Sequence, residues 1–79
     1  MHVRDLEAFL DTSKQLPAPP NHTHLWRIVL LSDYEEKFTE YDITNTMLTI
    51  KEGTGTTHKL IGFDSSAIAF VEHTWIMLA

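Results

Sequence analysis

The chain has 79 residues, 43% hydrophobic and 22% charged, the composition of one ordinary globular domain. It contains no cysteine, which excludes a disulfide framework, a thiolate metal site and a catalytic thiol. Six Lys and Arg against eleven Asp and Glu give a net charge of -5, the wrong sign for a protein that coats nucleic acid. A chain this short buries only about two-thirds of its unfolded surface, so association with further copies is an expected source of stability. No apolar run approaches the roughly 20 residues of a membrane span, and the polar stretch from Met1 to Asp5 does not read as a signal peptide. No membrane partner is expected, and the cytoplasm is the default compartment.

In chain order, residues 3–15 read as a short amphipathic helix. Val3, Leu6, Phe9 and Leu10 recur at helical spacing, and Arg4, Asp5, Glu7, Asp11 and Lys14 fall on the other face. Pro17, Pro19 and Pro20 each remove a donor and fix φ, so residues 16–22 form a stiff, extended connector. Residues 23–78 turn to strands. The run 24–31 is rich in β-branched and aromatic residues and ends at Ser32-Asp33. Residues 37–45 alternate, with Phe38, Glu40 and Asp42 on one face and Thr39, Tyr41 and Ile43 on the other. A third run, 47–52, precedes a hairpin turn at Gly53-Thr54-Gly55-Thr56; a fourth, 58–63, stops at Asp64-Ser65-Ser66; a fifth spans 67–77. One helix followed by five turn-linked strands implies a mainly β domain closed into a small barrel, because closure removes most exposed edges.

This layout resembles the Sm-like family (Sm, Lsm and Hfq proteins), in which an N-terminal helix precedes a five-stranded, strongly bent antiparallel SH3-like barrel. Trp26-Arg27-Ile28-Val29-Leu30 matches the first strand of the family's first motif, Tyr41-Asp42 its aromatic-Asp pair, and Met47-Leu48-Thr49-Ile50 its third strand. Asn45 or Thr46 falls near the family's base-contacting Asn. The segment from Phe63 to Val71 aligns with the second motif without gaps. Asp64 and Ser65 stand where that motif has Arg and Gly, and the second strand has no Gly for its sharp bend, so Thr39 or Glu40 takes it. No Hfq-type Lys-His pair occurs at the second-motif turn. The resemblance implies a homo-oligomeric ring of about five to seven subunits. It also implies single-stranded RNA as ligand, with Thr44, Asn45, Thr46, Asp64, Ser65 and Ser66 as the contacting residues.

The last run supports assembly on physical grounds as well. Its apolar residues are more than a small monomer buries on both faces, so Phe70, Val71, Trp75, Ile76 and Leu78 read as an interface edge that pairs with a neighbour. Other features carry less. His22 and His24 share a strand face and could chelate a metal, but no third ligand is fixed, so the polar-surface reading is favoured and no metal or cofactor is expected. His58 and His73 read as single polar residues. The acidic stretch 33–42 reads as a solvated turn and strand face and lacks the ligand spacing of a calcium loop. The Gly53-to-Thr57 stretch is no phosphate loop, and no serine sits in a nucleophile motif, so no enzymatic activity is expected. Arg27, Lys51 and Lys59 are the cations left for phosphate. The competing reading is an acidic protein-interaction or scaffold module that binds no nucleic acid, which net charge and Asp64 favour.

Overall fold

The computed structural model describes residues 1–54 and 57–78. Helix α1 (Val3–Lys14) starts where the His2 imidazole Nδ1 accepts the Arg4 N–H at 3.1 Å, a side-chain cap on one of the helix's orphan donors. Leu6, Leu10 and Ser13 form its buried stripe, spaced four and three residues apart. Phe9, expected in that stripe, is 39% exposed, and Ser13 takes the third place. The helix ends before Pro17, with the Gln15 N–H reaching back to the Thr12 carbonyl.

Six strands follow: β1 (His22–Leu30), β2 (Glu35–Phe38), β3 (Tyr41–Thr44), β4 (Met47–Thr54), β5 (Thr57–Asp64) and β6 (Ile68–Met77). A single 3-10 turn (Ser65–Ala67) separates the last two. Asn21, Asp33 and Asn45 have positive φ, at 61°, 70° and 57°. They stand before β1, between β1 and β2, and between β3 and β4. Asn and Asp are the non-glycine residues that tolerate this region best, because their short polar side chains bond locally. Of the expected turn at Gly53-Thr54-Gly55-Thr56, the first two residues instead extend β4 and pair with His58 and Thr57, and residues 55 and 56 lie outside the described residues.

All pairing is antiparallel and makes two three-stranded sheets, β2-β1-β6 and β3-β4-β5. The fold is therefore mainly β with one N-terminal helix, but it departs from the expected five-stranded closed barrel. Among the described residues β5 and β6 do not pair with each other, so each ends a sheet. The expected second strand, 37–45, is two strands, broken at Thr39 and Glu40. Up to Phe38 the chain pairs with β1, and from Tyr41 it pairs with β4.

The reason for the break lies in the core. Unbroken alternation sends Phe38 and Tyr41 to opposite faces. The two non-strand residues shift the phase, so Phe38 is buried while Tyr41 and Ile43 also pack against the core. Phe38 and Tyr41 meet edge to face, ring centres 6.1 Å apart. The core is Leu6 and Leu10 from the helix, Trp26 and Ile28 from β1, Phe38 from β2, Leu48 and Ile50 from β4, and Ile68 from β6. Helix α1 thus shares one core with both sheets.

One polar contact joins helix to sheet inside this core. The Trp26 indole Nε1–H donates to Ser13 Oγ at 2.8 Å, and that hydroxyl donates to the Phe9 carbonyl at 2.8 Å. Ser13→Ala leaves the buried indole donor without a partner, at a cost of about 1–3 kcal/mol. For a domain of this size that lowers the melting midpoint by roughly 5–20 °C in calorimetry. The exposed neighbour Thr12→Ala is the control and leaves the midpoint nearly unchanged.

Candidate functional site

Two turns converge at one end of the molecule. The β3–β4 turn carries Thr44, Asn45 and Thr46, and the turn after β5 carries Asp64, Ser65 and Ser66. The Ser65 N–H donates to the Thr46 carbonyl at 2.8 Å, and Thr46 Oγ1 donates to Asp64 Oδ2 at 3.3 Å. Asp64 Oδ1 accepts from the Ser66 N–H at 3.0 Å and its hydroxyl at 2.8 Å. These Ser66 bonds, with a smaller share from Thr46, hold the Asp64 carboxyl below the usual carboxylate range. The six residues named from the sequence are therefore neighbours. Thr44, Asn45, Thr46, Asp64 and Ser66 are exposed, whereas Ser65 is buried at 4% and works through its backbone. The Met1 amine lies against the same end, donating to the Ser65 and Ile68 carbonyls at 3.1 and 2.7 Å.

The sheet edges formed by β6 and β5 have a defined hydrogen-bonding phase. The Leu78 N–H donates to the Asn21 carbonyl, and the register continues from His22↔Met77. Residues 70, 72, 74 and 76 therefore turn their backbone groups to β1, and Val71, His73, Trp75 and Met77 turn theirs outward. The Ser65–Thr46 bond fixes β5 in the same way, leaving residues 58, 60, 62 and 64 with outward backbone groups. Side chains divide differently. Phe70, Ile76, Met77 and Leu78 are 45%, 42%, 70% and 56% exposed, and Leu60 on β5 is 66% exposed. Val71 packs against the core and Trp75 is half-buried.

Trp75 belongs to a cluster that the sequence did not bring together. In register Trp26 faces His73 and His24 faces Trp75, and the His24 and His73 rings meet with Nδ1 and Nε2 2.8 Å apart. His24 stacks on Trp26 at 5.3 Å and lies 4.7 Å from Trp75. Burial, then the neighbouring His24, hold His73 below the ordinary imidazole value. His22 does not join; its Nδ1–H donates to the Pro20 carbonyl at 2.8 Å.

The three cations singled out from the sequence are all ion-paired. Arg27 bridges Glu35 and Glu72, Lys51 lies 3.9 Å from Glu40, and Lys59 lies 3.2 Å from Glu52. None is bonded at the two-turn end. Arg27 also sits 5.8 Å from the Phe70 ring centre. No described helix is long and apolar enough to cross a membrane. No protein-family model, curated protein or solved structure matches the chain.

Tyr41 links the helix to β3 and offers a pH test of that packing. Desolvation first, then the charge of Asp11 and the bond to its carboxylate at 3.3 Å, push the phenol up to about 12. The folded state therefore holds this proton where the unfolded chain, near pH 10, has lost it. Stability is retained below about pH 10 and falls between there and pH 12. Ultraviolet titration of phenolate shows a late step that Tyr41→Phe removes, and that variant loses less stability over the same interval.

Proposed function

We propose that the chain is a non-enzymatic, Sm-like subunit that joins edge to edge into a homo-oligomeric ring of about five to seven copies. The observation that carries the reading is the edges that β5 and β6 present, one at an end of each sheet. β5 and β6 end opposite sheets and offer outward backbone groups of matching extent, flanked by Leu60, Phe70, Ile76 and Leu78. An edge of this kind is a template for strand addition, and joining unlike edges repeats until the rotation closes. Phe70, Val71, Trp75, Ile76 and Leu78 are the interface residues of this reading. The SH3-like bent barrel is supported by the way β2 and β3 run on from each other; taken as two halves of one bent strand, they reduce six strands to five.

The ligand in this reading is single-stranded RNA, bound at the two-turn end. Thr44, Asn45, Thr46 and Ser66 supply donors and acceptors for base edges, Asp64 organises them, and Ser65 ties the turns together through its backbone. Each site is weak, and repetition around the ring supplies avidity. A second reading, an acidic scaffold that binds protein rather than RNA, is favoured by the ion pairing of Arg27, Lys51 and Lys59. Phosphate attraction usually dominates nucleic-acid affinity, and those cations are occupied.

Two experiments test these readings. Val71→Pro removes an outward N–H and spares the bonds to β1. Light scattering gives a closed oligomer for the unaltered protein and a monomer of unchanged circular dichroism for the variant. A protein that is monomeric without the substitution ends the ring reading. Asp64→Arg adds one phosphate contact per subunit, tightening binding to oligo-uridine and steepening the salt slope by about 0.7 per contact. Asp64→Asn gives a smaller gain. If none of the three proteins binds while the ring stays intact, the scaffold reading replaces RNA.

A further inference from the structure

We propose that the His24–His73 imidazole pair is an acid-operated latch on the end of β6, closed at neutral pH and opened when both rings are protonated. The strands set the pair up. His24 faces Trp75 and Trp26 faces His73 across β1 and β6, which makes the two histidines diagonal neighbours. Their Nδ1 and Nε2 atoms stand 2.8 Å apart, a distance that requires one hydrogen between them and one lone pair to receive it. In the neutral pair one ring donates its N–H to the other. A first added proton leaves the bond in place, now charge-assisted, from an imidazolium to a neutral imidazole. A second proton puts a hydrogen on each facing nitrogen and removes the lone pair. The bond is then lost, and two positive rings face each other.

The latch closes a half-strand that has little else to hold it. β6 contributes Ile68 to the core and Val71 to its margin, and neither His73 nor any residue after it belongs to that core. Past Val71, the side chains on the core-facing side of the strand are His73, Trp75 and the exposed Met77. The end of β6 thus rests on its backbone bonds to β1 and on two rings packed against His24 and Trp26. A strand end of this kind opens at low free-energy cost. Trp26, buried and bonded to Ser13, stays with the core.

The neighbouring charges do not stabilise the second proton. On β6, Glu72 is taken by Arg27, as is Glu35 of β2. On β1, His22 is turned to the Pro20 carbonyl. From the helix, Asp11 accepts the Tyr41 hydroxyl, Glu7 acts on the same phenol, and Lys14 lies over its ring. Glu40 lies 3.9 Å from Lys51, and Lys37 of β2 lines the same cleft as His73. Burial, then His24, hold His73 below the ordinary imidazole value. The closed form therefore binds fewer protons than the open one. It is fully favoured above about pH 6.5 and loses ground as pH falls below that.

Nuclear magnetic resonance of the full chain tests the latch, following imidazole signals and amide protection from about pH 7.5 to about pH 4.5. The Thr74 and Ile76 amides face β1 and that of Leu78 bonds to Asn21. All three are expected to lose about tenfold or more of their protection, corrected for the intrinsic effect of pH, as the second ring is protonated. The amides of Phe70 and Glu72 keep theirs. His73→Gln carries no titrating charge and abolishes the loss, whereas His22→Gln leaves it unchanged. Should His73→Gln fold poorly by circular dichroism, the unaltered chain decides, through the coincidence of the amide step with the second imidazole step. Protection that stays constant over the range, falls alike along the whole chain, or falls in His73→Gln as in the unaltered protein overturns the proposal.

Discussion

The Trp26 side chain is the contact on which the rest of the structure depends. Its indole stacks near Phe38, takes Tyr41 edge-on at 5.2 Å, lies against His24, and donates inward to Ser13 of the helix. One ring thus touches α1, both halves of the broken strand and the histidine pair. In a domain this small the apolar area available is limited, and aromatic residues carry a large share of it. The indole nitrogen is what demands a polar partner in the core. Ser13 supplies it from a helical position that an apolar periodicity assigns to no one in particular.

Much of this was legible in the residues, and the rest was not for identifiable reasons. The helix over residues 3–15 matches α1 closely, because Leu6 and Leu10 repeat at its period and the prolines stop it. The strand runs were visible from β-branched and aromatic density. Alternation over residues 37–45 misassigned Phe38 relative to Tyr41, since periodicity assumes an unbroken strand and the chain leaves β geometry at Thr39 and Glu40. That those residues would take the bend follows from the missing glycine; that they would end a strand depends on which rings the core can accept. The meeting of the two turns was foreshadowed by naming residues 44–46 and 64–66 together. The burial of Ser65 was not, because the 3-10 turn that tucks it in is capped locally by Asp64. The pairing of His24 with His73 depends on the register of strands 49 residues apart, which no local pattern encodes.

Charge and edge design bear differently on the proposed roles. The surface carbonyls and amides of β5 and β6 lie beside exposed apolar side chains, with Glu72 and Lys59 already engaged by Arg27 and Glu52. Such edges favour strand addition over repulsion. The two-turn end is rich in hydroxyls and amides but holds a carboxylate at its centre, which suits hydrogen-bonded recognition better than phosphate attraction. Repetition around a ring would raise the avidity of a weak site whatever its ligand, so assembly and ligand are separate questions.

That the β5 and β6 edges of neighbouring copies meet each other is the central claim, and amide hydrogen exchange tests it most directly. At a protein concentration where light scattering reports the assembled form, peptides covering Ile68–Met77 and Thr57–Asp64 should exchange slowly throughout, because outward amides such as those of Val71 and Leu60 are bonded to a neighbour. On dilution, those outward amides alone should speed up, while the amides facing β1 and β4 stay protected. Outward amides that exchange rapidly at every concentration, with the inward ones slow, would contradict the account.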